Sequence, residues 1–197
     1  APQLVRRDGE LTRLQAWGVP ELKAGTEVAL LGFTFTEEKG DPVLRAGGGG
    51  ALGQDDVGYA LRERLLPLAT IATPNLPEAR LLAELPAGTA DECAARLLPH
   101  CQNLLITGGH GDEQAIHNRL YCRDGSRHDF TCPRLPGSYH GSGCTLASAL
   151  AGRLALGEAL LSAVRSALDY TWRTLRDAEQ PGKGQYVPRR LPLDFCD

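Results

Sequence analysis

The sequence has no methionine at any of its 197 positions, not even the first. A natural chain of this length would normally contain several. Two explanations stay open: the chain is processed and has a biased composition, or the sequence lacks residues of the natural protein. We take the second as a working hypothesis, and it bears on the spacing of residues near the N-terminus.

Clustered basic charge and long apolar runs are also missing. The 21 Lys and Arg residues are dispersed and are outnumbered by 24 Asp and Glu residues. This excludes the basic surface expected for nucleic acid or an anionic membrane, so a polyphosphate ligand would need backbone donors. No apolar run reaches the length of a membrane span, and the N-terminus lacks the pattern of a secretory signal. We therefore predict a cytoplasmic protein that binds neither nucleic acid nor a membrane.

The cysteines and histidines lack the spacings of disulfide frameworks or zinc sites. No Cys-x-x-Cys pair occurs, and the five His residues show no zinc-binding spacing. A chain of this length can build an ordinary core without bridges, so we predict reduced thiols and no structural metal site. The six cysteines are Cys93, Cys101, Cys122, Cys132, Cys144 and Cys196.

Length and hydrophobic pattern predict one α/β domain over residues 1–197. A hydrophobic content of 42% is enough for a single core. The pattern predicts strands at 27–35, 68–73 and 103–107, a hairpin over 115–132 that turns at Asp124-Gly125, and helices between and after them. The predicted helices run from Asp55 or Asp56 toward 66, from Pro77 to 83 or 84, and over 89–99, 143–156 and 158–178.

This alternation favours a three-layer α/β/α fold with a mostly parallel central sheet and a β-hairpin. In such folds, ligands bind beyond the carboxyl ends of the strands, where loops and helix N-termini converge. We therefore expect the functional residues at that edge.

The segment 140–149, His-Gly-Ser-Gly-Cys-Thr-Leu-Ala-Ser-Ala, contains the strongest candidate site. Gly141 and Gly143 flank Ser142 and allow a tight turn with exposed amides, directly before an apolar helix. Fixed amide donors at such a helix start would stabilise a transferred phosphoryl group. Cys144 lies in the first turn, where the helix dipole favours a thiolate that could take a proton or orient a hydroxyl. The other interpretation is a plain glycine-rich helix start with a small buried Cys.

This segment resembles the His-Gly-Thr-Gly-Cys-Thr-Leu-Ser-Ser-Ala signature of the hydroxymethylpyrimidine and phosphomethylpyrimidine kinases, which belong to the ribokinase-like superfamily. The resemblance implies a ribokinase-like fold, with Gly141, Ser142, Gly143 and Cys144 as the anion hole and Cys144 in the catalytic position. It further implies a kinase that uses ATP and Mg²⁺ to phosphorylate hydroxymethylpyrimidine, its monophosphate or both in thiamine biosynthesis.

A second similar segment, residues 66–79, ends in Thr-Pro-Asn-Leu-Pro-Glu-Ala, as in that family. The resemblance implies that Glu78 binds the metal, supported by Asn75 at the nucleotide phosphates, and magnesium needs few protein ligands when phosphates supply others. Without the resemblance, the residues favour a helix N-cap at Asn75 and a reciprocal capping-box acid at Glu78.

Two shorter segments extend the resemblance. Residues 104–110 resemble a strand that ends in Lys-Gly-Gly-His beside the nucleotide site, which implies that Thr107, Gly108 and Gly109 contact ATP. Thr107 replaces the Lys and offers a hydroxyl without charge, so nucleotide affinity is weaker or supported elsewhere; the alternative is a plain strand end. Asp41-Pro-Val-Leu is similar to Asp-Pro-Val-Met, which implies a metal-binding Asp41, although Asp-Pro also opens turns.

The resemblance is good from about Asp41 to Ala155 and largely fails before Asp41. The family's Asp-Pro-Ser-Gly-Gly-Ala-Gly segment, which helps to bind the pyrimidine, is not found, so we expect the substrate-binding half to be incomplete. A pyridoxal-type kinase and a degenerate homologue that binds a pyrimidine or nucleotide without turnover stay open. The family also implies a possible homodimer.

Overall fold

The computed structural model describes residues 58–109 and 114–190, together with the backbone of five two-residue strands nearer the N-terminus. These strands are β1 (Arg6–Arg7), β2 (Glu10–Leu11), β3 (Leu30–Leu31), β4 (Glu37–Glu38) and β5 (Asp41–Pro42). β1 pairs antiparallel with β2, and β4 pairs antiparallel with β5. β3 lies within the strand predicted at 27–35 and joins the main sheet.

The main sheet has five strands in the order β3-β6-β7-β8-β9. The new strands are β6 (Ile71–Ala72), β7 (Asn103–Ile106), β8 (Ala115–Cys122) and β9 (Arg127–Pro133). β3, β6 and β7 run parallel, whereas β8 is antiparallel to both β7 and β9. The sheet is therefore mixed, and both of its antiparallel pairings belong to the hairpin strands.

The hairpin turns where the sequence predicts it. Gly125 adopts a φ of +87°, which a residue with a Cβ rarely tolerates, and its N–H donates to the Cys122 carbonyl at 3.0 Å. The Asp124 carboxylate accepts the Ser126 N–H at 2.8 Å. Hydrogen bonding from the side chain of Ser126, together with this bond from its N–H, lowers the pKa of Asp124.

Five helical segments accompany the sheet. They are α1 (described over 58–65, with wide turns at Leu61–Leu65), α2 (Leu76–Ala83), α3 (Ala90–Leu97), α4 (Ser142–Ala155) and α5 (Leu160–Arg176). A tight turn, Leu66–Leu68, ends α1 and shortens the strand predicted at 68–73 to β6. The predicted cap at Asp55 or Asp56 lies outside the described residues.

Capping residues fix the ends of the two short helices. Thr89 and Glu92 form a capping box at the start of α3, and Asn75 and Glu78 form one at the start of α2. α2 ends at Glu84, whose backbone is left-handed at φ 56°. Both helices begin within one residue of the predicted starts, because a cap satisfies first-turn amides that have no partner within the helix.

Two hydrophobic layers cover opposite faces of the sheet. Ala72, Leu104 and Ile106 pack in one cluster with buried residues of α2 and α3. Ile71 and Leu105, their alternating neighbours, pack in a second cluster with buried residues of α4 and α5. The predicted three-layer α/β/α fold is confirmed.

Within the described residues, no helix is long and apolar enough to cross a membrane. The five cysteines described there form no disulfide, and Cys93 and Cys101 are buried in the core. In the same part of the chain, no group of three or more His, Cys, Asp or Glu side chains could hold a metal ion by itself.

We predict that Gly108→Ala destabilises the fold by about 1 to 3 kcal/mol. A Cβ at Gly108 would lie 2.5 Å from the His117 carbonyl oxygen, and that backbone belongs to β8 and cannot move aside cheaply. Gly152→Ala in α4 is the matched control, because nothing lies within 4 Å of its Cβ position. Urea unfolding followed by circular dichroism measures both variants, and equal stabilities would contradict the close approach.

Candidate active site

The carboxyl ends of β6 and β7 are held side by side just beyond the strands. The Thr107 N–H donates to the Pro74 carbonyl at 2.9 Å, and the Leu76 N–H donates to the Thr107 carbonyl at 3.2 Å. Asn75 and Thr107 thus form a parallel bridge. The structure brings together two residues that the sequence places at the nucleotide site.

Asn75 and Glu78 have a structural role at this edge. The Asn75 side-chain oxygen accepts the Glu78 N–H at 2.8 Å, and the Glu78 carboxylate accepts the Asn75 N–H at 2.9 Å. Glu78 is only 2% exposed. The capping interpretation is therefore confirmed, and metal binding by Glu78 stays a prediction that must be compatible with this bond.

Gly108 and Gly109 form a short loop after β7 that packs closely against β8. The Gly108 N–H donates to the side-chain oxygen of buried Asn118 at 3.2 Å, and Gly109 adopts a φ of +106°. Arg134 donates to the Gly109 carbonyl at 3.1 Å. The loop is fixed at Gly108 from the side of β8 and at Gly109 by Arg134.

The connection from β9 to α4 starts at the same edge. Because β8 is antiparallel to β7, its first residue Ala115 and the paired residue Pro133 lie beyond the end of β7. The next residue, Arg134, donates its N–H to the Gln114 carbonyl at 2.9 Å and its guanidinium to Gly109. The chain that leads to Gly141 therefore departs from beside the predicted nucleotide loop.

Helix α4 begins after a left-handed residue. Gly141 is its N-cap with a φ of +86°, and the N–H and hydroxyl of Thr145 both donate to the Gly141 carbonyl, at 3.0 and 2.8 Å. Because glycine has no side chain, it contributes no side-chain cap to the first turn, which contains Ser142 and Gly143. A helix start without a side-chain cap is compatible with the predicted anion hole, which stays a prediction.

Cys144 is exposed in the first turn of α4. The alternative interpretation is therefore wrong about the burial of this Cys. Its other part, a plain glycine-rich helix start, is not tested. Cys101 provides the contrast: it is fully buried, and burial raises the pKa of its thiol to about 11. An exposed thiol at a helix N-terminus can meet a substrate, which a core thiol cannot.

The side chain of Asp41, the other predicted metal ligand, lies outside the described residues, as does His110 after the glycine loop. The described backbone of Asp41 pairs with Glu38 between β5 and β4. The metal-binding prediction for Asp41 is therefore not tested.

The sequence did not indicate that a C-terminal segment, residues 179–190, crosses the start of α4. Tyr186 donates its N–H to the Ser138 carbonyl at 2.8 Å and accepts the His140 N–H at 2.9 Å. Arg190 donates from Nε to the Thr145 hydroxyl at 3.0 Å. Residues 181–184, Pro-Gly-Lys-Gly, resemble a closing Gly-x-Gly element of the family, but this pattern predicts no contact with α4.

Solved structures share this fold. The ADP complex of Bacillus subtilis pyridoxal kinase is 26% identical with a TM-score of 0.64, covering 70% of this chain and 56% of that one. The Staphylococcus aureus pyridoxal kinase with AMP-PCP and pyridoxal has a TM-score of 0.65 at 26% identity, covering 69% and 53%. A putative phosphomethylpyrimidine kinase from Bacteroides thetaiotaomicron, with pyridoxal, has a TM-score of 0.55 at 27% identity, covering 72% and 53%. The ribokinase-like α/β fold is confirmed.

Sequence relatives agree. The thiamine biosynthesis bifunctional protein ThiED of Geobacter sulfurreducens is 41% identical over 155 residues, covering 73% of this chain and 30% of its own. The hydroxymethylpyrimidine/phosphomethylpyrimidine kinase of Synechococcus elongatus is 36% identical over 175 residues, covering 85% and 64%. The chain thus spans less than two thirds of the length of either relative. Because the sequence pattern of phosphomethylpyrimidine kinases matches residues 36–189, which include the whole described helix start at Gly141, this chain belongs to the phosphomethylpyrimidine kinase family.

Proposed function

We propose that the protein is a phosphotransferase that uses ATP to phosphorylate hydroxymethylpyrimidine, its monophosphate or both in thiamine biosynthesis. The observation that carries the proposal is the start of α4, where an exposed Cys144 follows a left-handed Gly141. The family match and the names of the relatives support the substrate class. Amide donors and a thiol lie together at one helix start. Phosphoryl transfer to a hydroxyl needs both, because the amides can stabilise the transferred group and the thiol can orient the hydroxyl.

The helix start would act on the migrating phosphoryl group. The substrate hydroxyl oxygen forms a bond to the γ-phosphorus of ATP, the bond from that phosphorus to the bridging oxygen breaks, and ADP leaves with the electron pair. The amides of Ser142, Gly143 and Cys144 donate to the phosphoryl oxygens, where negative charge is spread in the transition state. The Cys144 thiolate orients the attacking hydroxyl and accepts its proton.

The nucleotide would lie along the strand edge. Thr107, which pairs with Asn75, offers a hydroxyl, and Gly109 leaves room for a phosphate chain. Gly108 stays in the proposed nucleotide site, although its N–H bonds to Asn118 and its Cβ position faces His117. Solved relatives in complex with ADP and AMP-PCP support a nucleotide on this fold. Thr107 brings no charge, so a cationic group from another element is needed for tight phosphate binding.

Magnesium binding is part of the proposal. Oxygen ligands suit this ion, and the proposed ligands are the carboxylates of Glu78 and Asp41. A bound magnesium ion would neutralise phosphate charge. The Glu78 carboxylate also holds the helix cap, so its contact with the metal, direct or through water, must be compatible with that bond.

Pyridoxal is the second candidate substrate. Three of the structural relatives described above are pyridoxal kinases or contain pyridoxal, and one of them is itself called a putative phosphomethylpyrimidine kinase.

A cytoplasmic location and a homodimer also remain predictions.

We expect ATP-dependent ADP release with hydroxymethylpyrimidine and a slower rate with pyridoxal. A coupled assay for ADP with each substrate, and with neither as the blank, measures the difference. A faster rate with pyridoxal than with hydroxymethylpyrimidine would show that pyridoxal is the preferred substrate and would contradict the proposed pyrimidine substrate. Absence of turnover with either substrate, alongside thermal stabilisation by hydroxymethylpyrimidine or by ATP, would instead support the non-catalytic homologue.

Cys144→Ala should lower kcat by about 10² to 10⁴ because it removes the group that accepts the hydroxyl proton. The side chain is exposed, so the melting temperature should stay within about 1 °C of the wild type. Cys132→Ala, on the hairpin strand β9, is the control and should keep full activity. An unchanged kcat for Cys144→Ala removes the thiol from the mechanism.

A further inference from the structure

Residue Arg190 is fixed beside the proposed anion hole by contacts from two helices. Its carbonyl accepts the Tyr170 hydroxyl of α5 at 2.7 Å. Its Nε donates to the Thr145 hydroxyl of α4 at 3.0 Å, and that hydroxyl donates to the Gly141 carbonyl. The backbone of Arg190 is therefore bonded to α5, and its side chain is bonded to the first turn of α4.

The guanidinium lies against the backbone of Gly141. A Cβ added to Gly141 would come within 2.8 Å of Arg190 Nη2. The left-handed φ favours glycine at position 141, whereas the guanidinium is the end of a flexible side chain and could move aside. The terminal nitrogen of Arg190 is thus next to the N-cap of the helix on which the proposed phosphoryl contacts depend.

This placement brings a cation next to the positive end of a helix. The N-terminus of a helix carries partial positive charge, and a cation there is repelled by it. Among residues 58–109 and 114–190, no carboxylate forms an ion pair with Arg190. Its neighbour Arg189 does have such a partner, Glu179, at 3.3 Å. An anion that binds at this helix start would be attracted both by the guanidinium and by the helix N-terminus.

We propose that Arg190 binds a phosphate oxygen of the nucleotide at the start of α4 and supplies the positive charge that Thr107 does not. The inference rests on the proposed phosphotransferase function and names a further phosphate-binding residue for it. Arginine suits the task because its fixed fork of N–H donors matches phosphate oxygens and stays charged at any working pH. Thr145 acts as a positioning residue that holds Nε and leaves the terminal N–H groups for phosphate.

The test compares nucleotide binding by the full chain and its variants, measured by calorimetry without magnesium. Arg190→Gln should weaken binding of AMP-PCP by about 10- to 100-fold, because a charge-assisted hydrogen bond is lost. The AMP-PCP affinity of Arg190→Lys should lie between those of the wild type and Arg190→Gln, since lysine keeps the charge but lacks the forked N–H donors of arginine. Arg189→Gln is the matched control and should bind within about 2-fold of the wild type, because its partner Glu179 lies outside the helix start.

A comparison with adenosine distinguishes the loss of a phosphate contact from a general change in the structure of the binding site. Its affinity should be the same for the wild type and Arg190→Gln, since it has no phosphate. Equal weakening of adenosine and AMP-PCP, unchanged AMP-PCP binding by Arg190→Gln, or no AMP-PCP binding by the wild type would each overturn the inference.

These affinities, combined with the ADP-release assay described above, distinguish this inference from the proposed function. If no pyrimidine or pyridoxal is phosphorylated but AMP-PCP binding still depends on Arg190, the kinase reaction is wrong and the phosphate contact stands. If the wild type is an active kinase and Arg190→Gln keeps both its kcat and its AMP-PCP affinity, the contact is wrong and the kinase stands.

Discussion

The chemistry proposed for this protein depends on the backbone of Gly141. Its φ of +86° turns the chain into α4, and two hydrogen bonds from Thr145 to its carbonyl close the first helical turn. The same hydroxyl receives Arg190 Nε. One turn therefore sets the direction of the helix N-terminus, the exposed position of Cys144 and the site of a guanidinium. Any residue other than glycine at this point would disturb all three.

The strand edge provides the second fixed element. The bridge between Asn75 and Thr107 extends the parallel pairing of β6 and β7, and the capping box places Glu78 at the start of α2. These contacts are needed for the fold whether or not the same side chains bind ligand. A buried carboxylate that accepts a backbone N–H is held in one position, which suits a group that would help to organise metal and phosphates.

Local patterns made much of this arrangement predictable. Asn75 with Glu78 located the start of α2, Asp124-Gly125 located the hairpin, and the glycines before Cys144 located α4. Each signal lies within a few residues, where backbone geometry and hydrogen bonding decide the outcome. Other features arise only from tertiary packing. The contact between Arg190 and Thr145 spans 45 positions, and the approach of Gly108 to His117 depends on strand pairing, so no local pattern encodes either.

Amide chemical shifts of the ¹⁵N-labelled chain, titrated with AMP-PCP, show whether backbone amides at the start of α4 bind phosphate. We expect saturable shifts at Ser142, Gly143 and Cys144 that adenosine does not produce, because only the phosphates would reach these N–H groups. Shifts confined to other parts of the chain, with these three amides unchanged at saturation, would rule out phosphate binding at this helix start.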